Sequence, residues 1–211
     1  TTGDAYSNKD LDKIFTLTHN AGEIRFGGDF KKTGEENDSH RGKMSFVFNG
    51  GTLTVEAGKD VAFLNPTVKN GQETFAEVGA GAAVTVQTLA DATLDMRLFT
   101  YGSGAAVTKT GAGALKISNR PDTLTVSAGK LIFTTALADA TGVTLTNDCS
   151  VAFCAPGNVI ATAPAGYTNI TFELDNTSGE FAAGVTVLAS GDNAFLQHVS
   201  DQIQSSLPTG T

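Results

Sequence analysis

The chain has 211 residues, of which 40% are hydrophobic and 17% are charged, and its net charge is −8. Its apolar fraction is large enough for a buried core. However, 14 Lys and Arg against 22 Asp and Glu do not form the basic face that nucleic acid or an anionic membrane surface requires. No apolar run is long enough to cross a bilayer. We therefore expect no nucleic-acid partner and no membrane insertion by this chain.

Residues 1–43 are predicted to form an N-terminal cap. The segment "IFTLTHNAGEIRF" (14–26) follows a polar lead-in and predicts a hairpin that turns at "HNAG". The opening "TTGDAYSNKD" has neither the basic nor the hydrophobic region of an export signal. Because low charge with abundant Thr, Gly and Asn favours export, we expect that a signal has been removed and that the protein is secreted or held at the cell surface.

The segment 27–43, "GGDFKKTGEENDSHRGK", is rich in charge and poor in apolar residues, which is typical of a solvated loop. A functional interpretation makes it a ligand-binding loop, because loops often carry function. The candidate ligand-binding residues are Asp29, Glu35, Glu36, Asp38 and His40. Their order lacks the spaced acidic pattern of a calcium loop, so we predict no metal and no cofactor.

Strand-like alternation dominates the predicted central domain, residues 44–190. Apolar residues occupy every second position, Gly pairs or Asn-Gly mark the breaks, and no helical period lies between the runs. The alternating segments are 44–58, 82–89, 92–102, 106–118, 122–135 and 142–153.

Three short motifs recur within this region. They are "TLTVEAGK" (52–59) with "TLTVSAGK" (123–130), "GAGAAVT" (79–85) with "GSGAAVT" (102–108), and "LADAT" at 89–93 and 137–141. Their separations of 71, 23 and 48 residues are near multiples of a unit of about 24 residues, within the range of solenoid repeats. A unit of this length with short strands predicts an all-β fold, a parallel β-helix. A β-sandwich is the alternative, because its strands also recur at short intervals.

The two "TLTV" copies are predicted to occupy equivalent positions three coils apart. Alternation places Leu53, Val55, Leu124 and Val126 inward and Thr52, Thr54, Thr123 and Thr125 outward. Gly58 and Gly129 are predicted to form corners with a positive φ.

The stretches "VTKTGAGALKIS" (107–118) and "TLTVSAGKLIF" (123–133) resemble the autotransporter-associated β-strand repeat of passenger domains. The matching residues are Lys109, Gly111, Gly113, Leu115, Ile117, Val126, Gly129 and Leu131. The resemblance covers roughly residues 107–133. It implies a right-handed parallel β-helix displayed outside a Gram-negative-type bacterial cell. Because the family repeat is structural, it implies no active site.

The segment 191–207, "GDNAFLQHVSDQIQSSL", is predicted to be a helix within a C-terminal unit, residues 191–211, that caps the open end of the solenoid. Phe195, Leu196, Val199 and Ile203 share one face. Asp192 or Asn193 is the predicted N-cap.

Cys149 and Cys154 are expected to remain two buried free thiols. On one extended strand, residues five apart point to opposite faces and cannot form a disulfide. A bridge would require a turn between them, and "SVAF" is a poor turn sequence.

The sequence leaves enzymatic activity open, since it has no G-x-S-x-G, no H-E-x-x-H and no P-loop. The candidate catalytic residues are Asp91, Asp95 and Asp139, acidic residues expected to be exposed on coil faces. If the "LADAT" copies stack, Asp91 and Asp139 lie about 9–10 Å apart between backbones. That separation is compatible with inverting glycoside hydrolysis and equally with two solvated aspartates.

These observations predict an extracellular, surface-displayed β-solenoid module that serves adhesion, ligand binding or as a structural spacer. A host glycoprotein or glycan is the expected partner. The alternative is a secreted hydrolase, a carboxylate-based glycosidase or protease acting on glycans or glycoproteins. A third possibility is an assembly unit that self-associates edge to edge, because open sheet edges pair with further strands.

Overall fold

The computed structural model describes residues 14–28, 30–31, 43–64, 74–136, 139–146, 149–160, 162–175, 181 and 187–206. This part of the chain is mostly β-strand, with one α-helix near its C-terminal end. The all-β prediction is confirmed. All six segments that were predicted from alternation contain strands.

The first sheet has eight strands. They are β1 (Ile14–His19), β2 (Glu23–Phe26), β4 (Lys43–Val55), β6 (Thr74–Thr88), β8 (Phe99–Tyr101), β9 (Ala106–Thr110), β11 (Thr123–Val126) and β13 (Val143–Leu145). Six of them lie side by side in the order β1-β4-β6-β9-β11-β13. The remaining two strands pair with further parts of the long strands. β2 pairs with the last four residues of β4, and β8 pairs with the first half of β6.

The second sheet has seven strands. They are β3 (Phe30–Lys31), β5 (Asp60–Leu64), β7 (Thr93–Asp95), β10 (Ala114–Ile117), β12 (Gly129–Phe133), β14 (Cys149–Phe153) and β16 (Thr171–Leu174). They lie next to each other in the order in which they occur along the chain. A two-stranded sheet pairs β15 (Asn158–Ile160) with β17 (Leu188–Ser190).

Every strand pairing among the described residues is parallel. The chain passes repeatedly between the eight-stranded and the seven-stranded sheet, so each strand finds its partner in a segment that lies well away in sequence. The sheets of a β-sandwich are antiparallel. The β-sandwich alternative therefore does not describe this pairing.

The core is built from apolar side chains that stack in columns on neighbouring strands. In the seven-stranded sheet, one column contains five residues that are each at most 2% exposed. They are Leu94, Leu115, Leu131, Val151 and Phe172. At about 25 cal/mol per Å² of buried apolar surface, such columns are the main favourable contribution to folding.

The "TLTV" motifs lie in the same sheet, three strands apart, as predicted. The pairing runs from Thr52 to Thr85, then to Thr108, and then to Thr125. The two copies are therefore shifted by two residues, since Thr52 aligns with Thr125 and not with Thr123. The shift is even, so it preserves which side chains face the core. The predicted unit of about 24 residues is only an average, because the chain length between paired positions changes from strand to strand.

The predicted inward residues are confirmed, because Leu53, Val55, Leu124 and Val126 are at most 1% exposed. Thr54 lies between these inward residues on the outer face, as predicted, but it is completely buried there. Its hydroxyl donates to Glu23 Oε1 over 2.6 Å and lies 3.3 Å from Gln87 Oε1. These two longer side chains on the neighbouring strands β2 and β6 cover it.

The predicted hairpin at "HNAG" is wrong. β1 and β2 do not pair with each other; both pair in parallel with successive parts of β4. The chain turns a corner between them and continues in the same direction, with Gly22 at a φ of 83°. Asn49 Nδ2 donates to Asn20 Oδ1 over 2.9 Å and joins this corner to that of the next strand. The first sheet thus extends into the region predicted as a separate cap.

The helix α1 (Asn193–Ser206) confirms the predicted C-terminal helix. Asp192 is its N-cap, since Asp192 Oδ1 accepts from the backbone nitrogens of Ala194 and Phe195, both over 3.0 Å. Phe195 and Val199 are buried, and Phe195 meets the ring of Phe172 edge-on, with centroids 5.5 Å apart. The helix therefore packs on β16, the last strand of the seven-stranded sheet.

One side chain of α1 completes the hydrogen bonding of that last strand. Gln202 Oε1 accepts from the backbone nitrogen of Phe172 over 2.6 Å, and Gln202 Nε2 donates to the carbonyl oxygen of Ile170 over 2.9 Å. A neighbouring strand would satisfy the same two groups. The amide thus takes the place of a further strand at this edge.

Cys149 and Cys154 are both free thiols, as expected. Cys149 is buried, whereas Cys154 is only half-buried, which differs from the expectation for the second thiol. Cys149 begins β14 and belongs to the core cluster, and Cys154 follows the strand on its outer face.

Gly129→Ala is expected to destabilise the fold more than Gly58→Ala. Both glycines have a positive φ, of 75° and 67°, which costs another residue about 1–2 kcal/mol. A Cβ at Gly129 would also meet the carbonyl oxygens of Gly111 and Gly113, whereas no described atom lies within 4 Å of a Cβ at Gly58. Urea unfolding of the two variants gives the comparison. Equal midpoints would contradict the close packing at the Gly129 corner.

Gln202→Leu is expected to lower the free energy of unfolding by about 1–3 kcal/mol, because it removes the partner of the Phe172 backbone nitrogen and of the Ile170 carbonyl oxygen. Gln197→Leu is the matched control on the same helix. Gln197 donates to Asp201 at the exposed surface, so its loss is expected to change stability by less than about 0.5 kcal/mol. Thermal unfolding with calorimetry tests both. Similar losses in the two variants would show that the Gln202 amide does not stabilise the edge.

Candidate functional site

A groove with a volume of about 380 Å³ opens at the C-terminal ends of strands in the seven-stranded sheet. Parallel strands bring the residues that follow them to one edge of the sheet. The lining residues are Phe63, Asp95, Arg97, Leu98, Ser118, Thr134 and Thr135. One of the three predicted catalytic residues, Asp95, is among them.

Asp95 and Arg97 form a close ion pair on one wall of the groove. Arg97 Nε lies 2.9 Å from both carboxylate oxygens, and Arg97 Nη2 lies 2.6 Å from Asp95 Oδ2. The backbone nitrogen of Arg97 also donates to Asp95 Oδ1 over 3.0 Å. Hydrogen bonding to Asp95 raises the pKa of Arg97 above its ordinary value. The carboxylate is thus fully engaged, whereas Arg97 Nη1 has no partner among the described residues.

Three hydroxyl groups on the groove have their protons directed at the backbone. Ser118 Oγ donates to the carbonyl oxygen of Arg97 over 2.5 Å, and Thr135 Oγ1 donates to that of Ser118 over 2.6 Å. Thr134 Oγ1 donates to the carbonyl oxygen of Ile117 over 3.1 Å. Each hydroxyl oxygen keeps a lone pair for an incoming donor. The hydroxyls therefore present acceptors to the groove.

The apolar part of the groove is formed by Leu98 and Phe63. Leu98 is 52% exposed, while Phe63 is 2% exposed and belongs to the core. Phe63 holds the floor in place through edge-on contacts with Phe46, Phe48 and Phe99. The groove thus combines a rigid apolar floor with a polar wall.

The other two predicted catalytic residues lie elsewhere. Asp91 is exposed, has a φ of 56°, and precedes β7, so it lies at the opposite end of that strand from Asp95. Asp139 precedes β13 in the other sheet. The predicted stacking of the two "LADAT" copies is therefore wrong, since the copies lead into strands of different sheets.

The carboxylate of Asp139 is held by Thr141 and Arg120. Its Oδ1 accepts from the nitrogen and the hydroxyl of Thr141, both over 2.9 Å, and Arg120 Nη2 lies 2.9 Å from its Oδ2. Hydrogen bonds from Thr141, with Arg120 beside the carboxylate, hold the pKa of Asp139 below its ordinary value. A carboxylate held in this way connects the chain before β13 to Arg120 and is not aimed at a cavity.

The predicted ligand-binding residues Asp29, Glu35, Glu36, Asp38 and His40 all lie outside the described residues. Within the described ranges, no group of three His, Cys, Asp or Glu is arranged to hold a metal ion. A second depression of about 410 Å³ is lined by Lys130 and by small residues, which are Ala112, Gly129, Cys149, Ser150, Asn169 and Thr171. The Lys130 ammonium is paired with Glu173 over 2.7 Å, so this depression offers little for a charged ligand.

Lys109 is a buried cation in a core position. Its neighbours in register are Val86 and Val126, both fully buried, and Lys109 is itself 0% exposed. Its Nζ donates to the carbonyl oxygens of Thr110, Gly111 and Ala128 over 2.8, 2.7 and 3.1 Å. Burial lowers the pKa of Lys109 to about 8. The residue ties the corner after β9 to the chain before β12.

No family model, no curated protein and no solved structure matches this chain. Within the part of the chain that the structure describes, no helix is long and apolar enough to cross a membrane.

Sequence reasoning identified Asp95 in the groove but missed Arg97, Leu98 and the three hydroxyls. A detectable signal existed, because Asp and Arg two residues apart at the end of a strand point to the same side. Leu98 also breaks the alternation, since Leu94 and Met96 are buried and the next inward residue is Phe99.

Lys109→Met is expected to change how stability depends on pH. The unfolded chain keeps the Lys109 proton up to a pH near 10.5, whereas the folded chain releases it near 8. Because the unfolded state then binds more protons between these values, Lys109 makes the free energy of unfolding rise with pH over that window. The rise attributable to Lys109 is expected to be absent in the variant.

Tyr101 and Cys154 oppose this trend in both proteins, because burial raises their pKa values. The quantity to measure is therefore the difference in unfolding free energy between parent and variant, from urea titrations at pH 7.0 to 9.5. Lys59→Met, which removes a positive charge from an exposed position, is the control variant. A parent-minus-K109M difference that does not change with pH would show that burial does not lower the pKa of Lys109.

Proposed function

We propose that the chain is a surface-displayed right-handed parallel β-solenoid module that binds an extracellular ligand in the Asp95–Arg97 groove. The solenoid architecture is supported by the exclusively parallel pairing of the described strands and by their repeated passage between two sheets. A right-handed coil is supported by the general preference for right-handed crossovers between parallel strands of one sheet, which holds in about 98% of cases.

Display at the cell surface is supported by the resemblance of residues 107–133 to the repeats of autotransporter passenger domains. The matching residues have structural tasks in this fold, since Leu115 and Ile117 lie in the core, Gly111 and Gly129 have positive φ, and Lys109 joins two corners. A stacked fold of this kind also separates its two ends, which suits a spacer that carries a binding surface.

The single observation that carries the binding role is the state of Asp95. General acid–base catalysis requires a carboxylate that can exchange a proton with the substrate. Asp95 instead accepts four contacts from Arg97, and neither Asp91 nor Asp139 is among the described residues that line the groove. The groove is equipped for recognition.

The hydrolase is the second candidate, because Asp95 lies in a groove of about 380 Å³ that combines polar and apolar walls. Incubation of the protein with a mucin-like glycoprotein and a panel of glycans tests it. Under the binding proposal, mass spectrometry is expected to show no cleavage. Cleavage by the parent that Asp95→Asn abolishes would replace the binding role with hydrolysis.

Surface display is tested by antibody labelling of intact cells that produce the protein. Labelling is expected before permeabilisation, and protease added outside the cells is expected to remove it. A cytoplasmic protein of the same cells is the control and is expected to label only after permeabilisation. If this chain also required permeabilisation, it would not be a surface module.

A further inference from the structure

The geometry points to a neutral glycan as the ligand of the groove, with one pyranose ring seated on Leu98 and bound by Arg97, Ser118, Thr134 and Thr135. This inference rests on the proposed binding function and adds the chemical class of the ligand and the residues that recognise it.

The hydrogen-bond donors and acceptors of the groove determine which groups the ligand must carry. Arg97 Nη1 supplies donors, since its remaining guanidinium nitrogens are engaged by Asp95. The oxygens of Ser118, Thr134 and Thr135 supply acceptors only, because their protons are directed at backbone carbonyls. A ligand must therefore accept at one side and donate several hydrogen bonds at the other. Sugar hydroxyl groups do both.

The apolar side chain of Leu98 places a second requirement on the ligand. Leu98 is 52% exposed and stands beside these polar groups, so a ligand needs an apolar patch next to its hydroxyls. A pyranose ring has such a patch in its C–H face. A volume of about 380 Å³ lies within the range of small-molecule sites, roughly 300–1,000 Å³. The open groove thus accommodates a ring within a longer chain.

Charge favours a neutral sugar over an acidic one. The Arg97 charge is already balanced by Asp95 at 2.6 Å, so the pair presents no net charge to the ligand. The whole chain carries a net charge of −8, which opposes the approach of an anionic glycan.

A printed array of defined neutral and acidic oligosaccharides, followed by calorimetric titration of the neutral oligosaccharide that binds, tests the inference. Arg97→Gln and Leu98→Ala are each expected to weaken binding about tenfold, which corresponds to the loss of one charged hydrogen bond or of the apolar contact. Leu98→Ala alters an exposed side chain, so it tests the groove even if Arg97→Gln is poorly folded. Thr134→Val is expected to weaken binding as well, because it removes an acceptor.

Matched controls lie outside the groove. Val159→Ala removes methyl groups from a side chain that is 51% exposed, and Thr146→Val removes a hydroxyl that also donates to backbone carbonyls. Both are expected to leave the affinity within about twofold of the parent.

Three results would overturn the inference. If the groove variants and the controls all bind glycan as the parent does, the site lies outside the groove, although the chain is still a binding module. A preference for acidic glycans that Arg97→Gln abolishes would reject the neutral class. If the folded protein binds no glycan of the array, the inference fails, and antibody labelling of intact cells still decides separately whether the chain is a surface module.

Discussion

The fold depends on the hydrogen bonding between parallel strands. A parallel strand cannot pair with the segment that follows it through a tight turn, so its partner must come from the next passage of the chain. Each buried column, such as the one from Leu94 to Phe172, exists only because these passages are held in register. The corners and the groove depend on the same register. Both consist of residues that follow the ends of neighbouring strands, and the register places these strand ends side by side.

At one place in the core a charged side chain, Lys109, satisfies backbone groups of the corners. Three carbonyl oxygens point at Lys109 from the corners on either side of it, and unpaired buried carbonyls are costly. A lysine in a valine column satisfies them at the cost of desolvating its charge, which is why burial lowers its pKa. Thr54 shows the opposite solution on the outer face, where Glu23 and Gln87 shield a polar residue from water.

Alternation predicted strands in six segments and the faces that those strands bury, because the period of two is a property of each strand alone. Register was harder, since it depends on chain length between strands, and an identical "TLTV" motif aligned two residues away from its copy. The strands β3, β5, β15, β16 and β17 lie outside the segments predicted from alternation. In the groove, the sequence indicated Asp95 because it is acidic. Its pairing with Arg97 was not predicted, because that pairing depends on the direction that the chain takes after β7. Lys109 follows the buried Val107 by two residues, so alternation indicates an inward position, but its charge argued against burial.

The side-chain amide of Gln202 has a consequence for how the protein exists in solution. An uncovered parallel edge is a template for any strand of matching register, including a second copy of the same chain. The addition of chains to such an edge does not end by itself, because each added chain presents a new uncovered edge. At β16 one glutamine occupies one donor and one acceptor that a newcomer would use, and the helix that carries it packs on the strand. The C-terminal helix thus sets a finite size for the seven-stranded sheet and opposes fibre growth from that end.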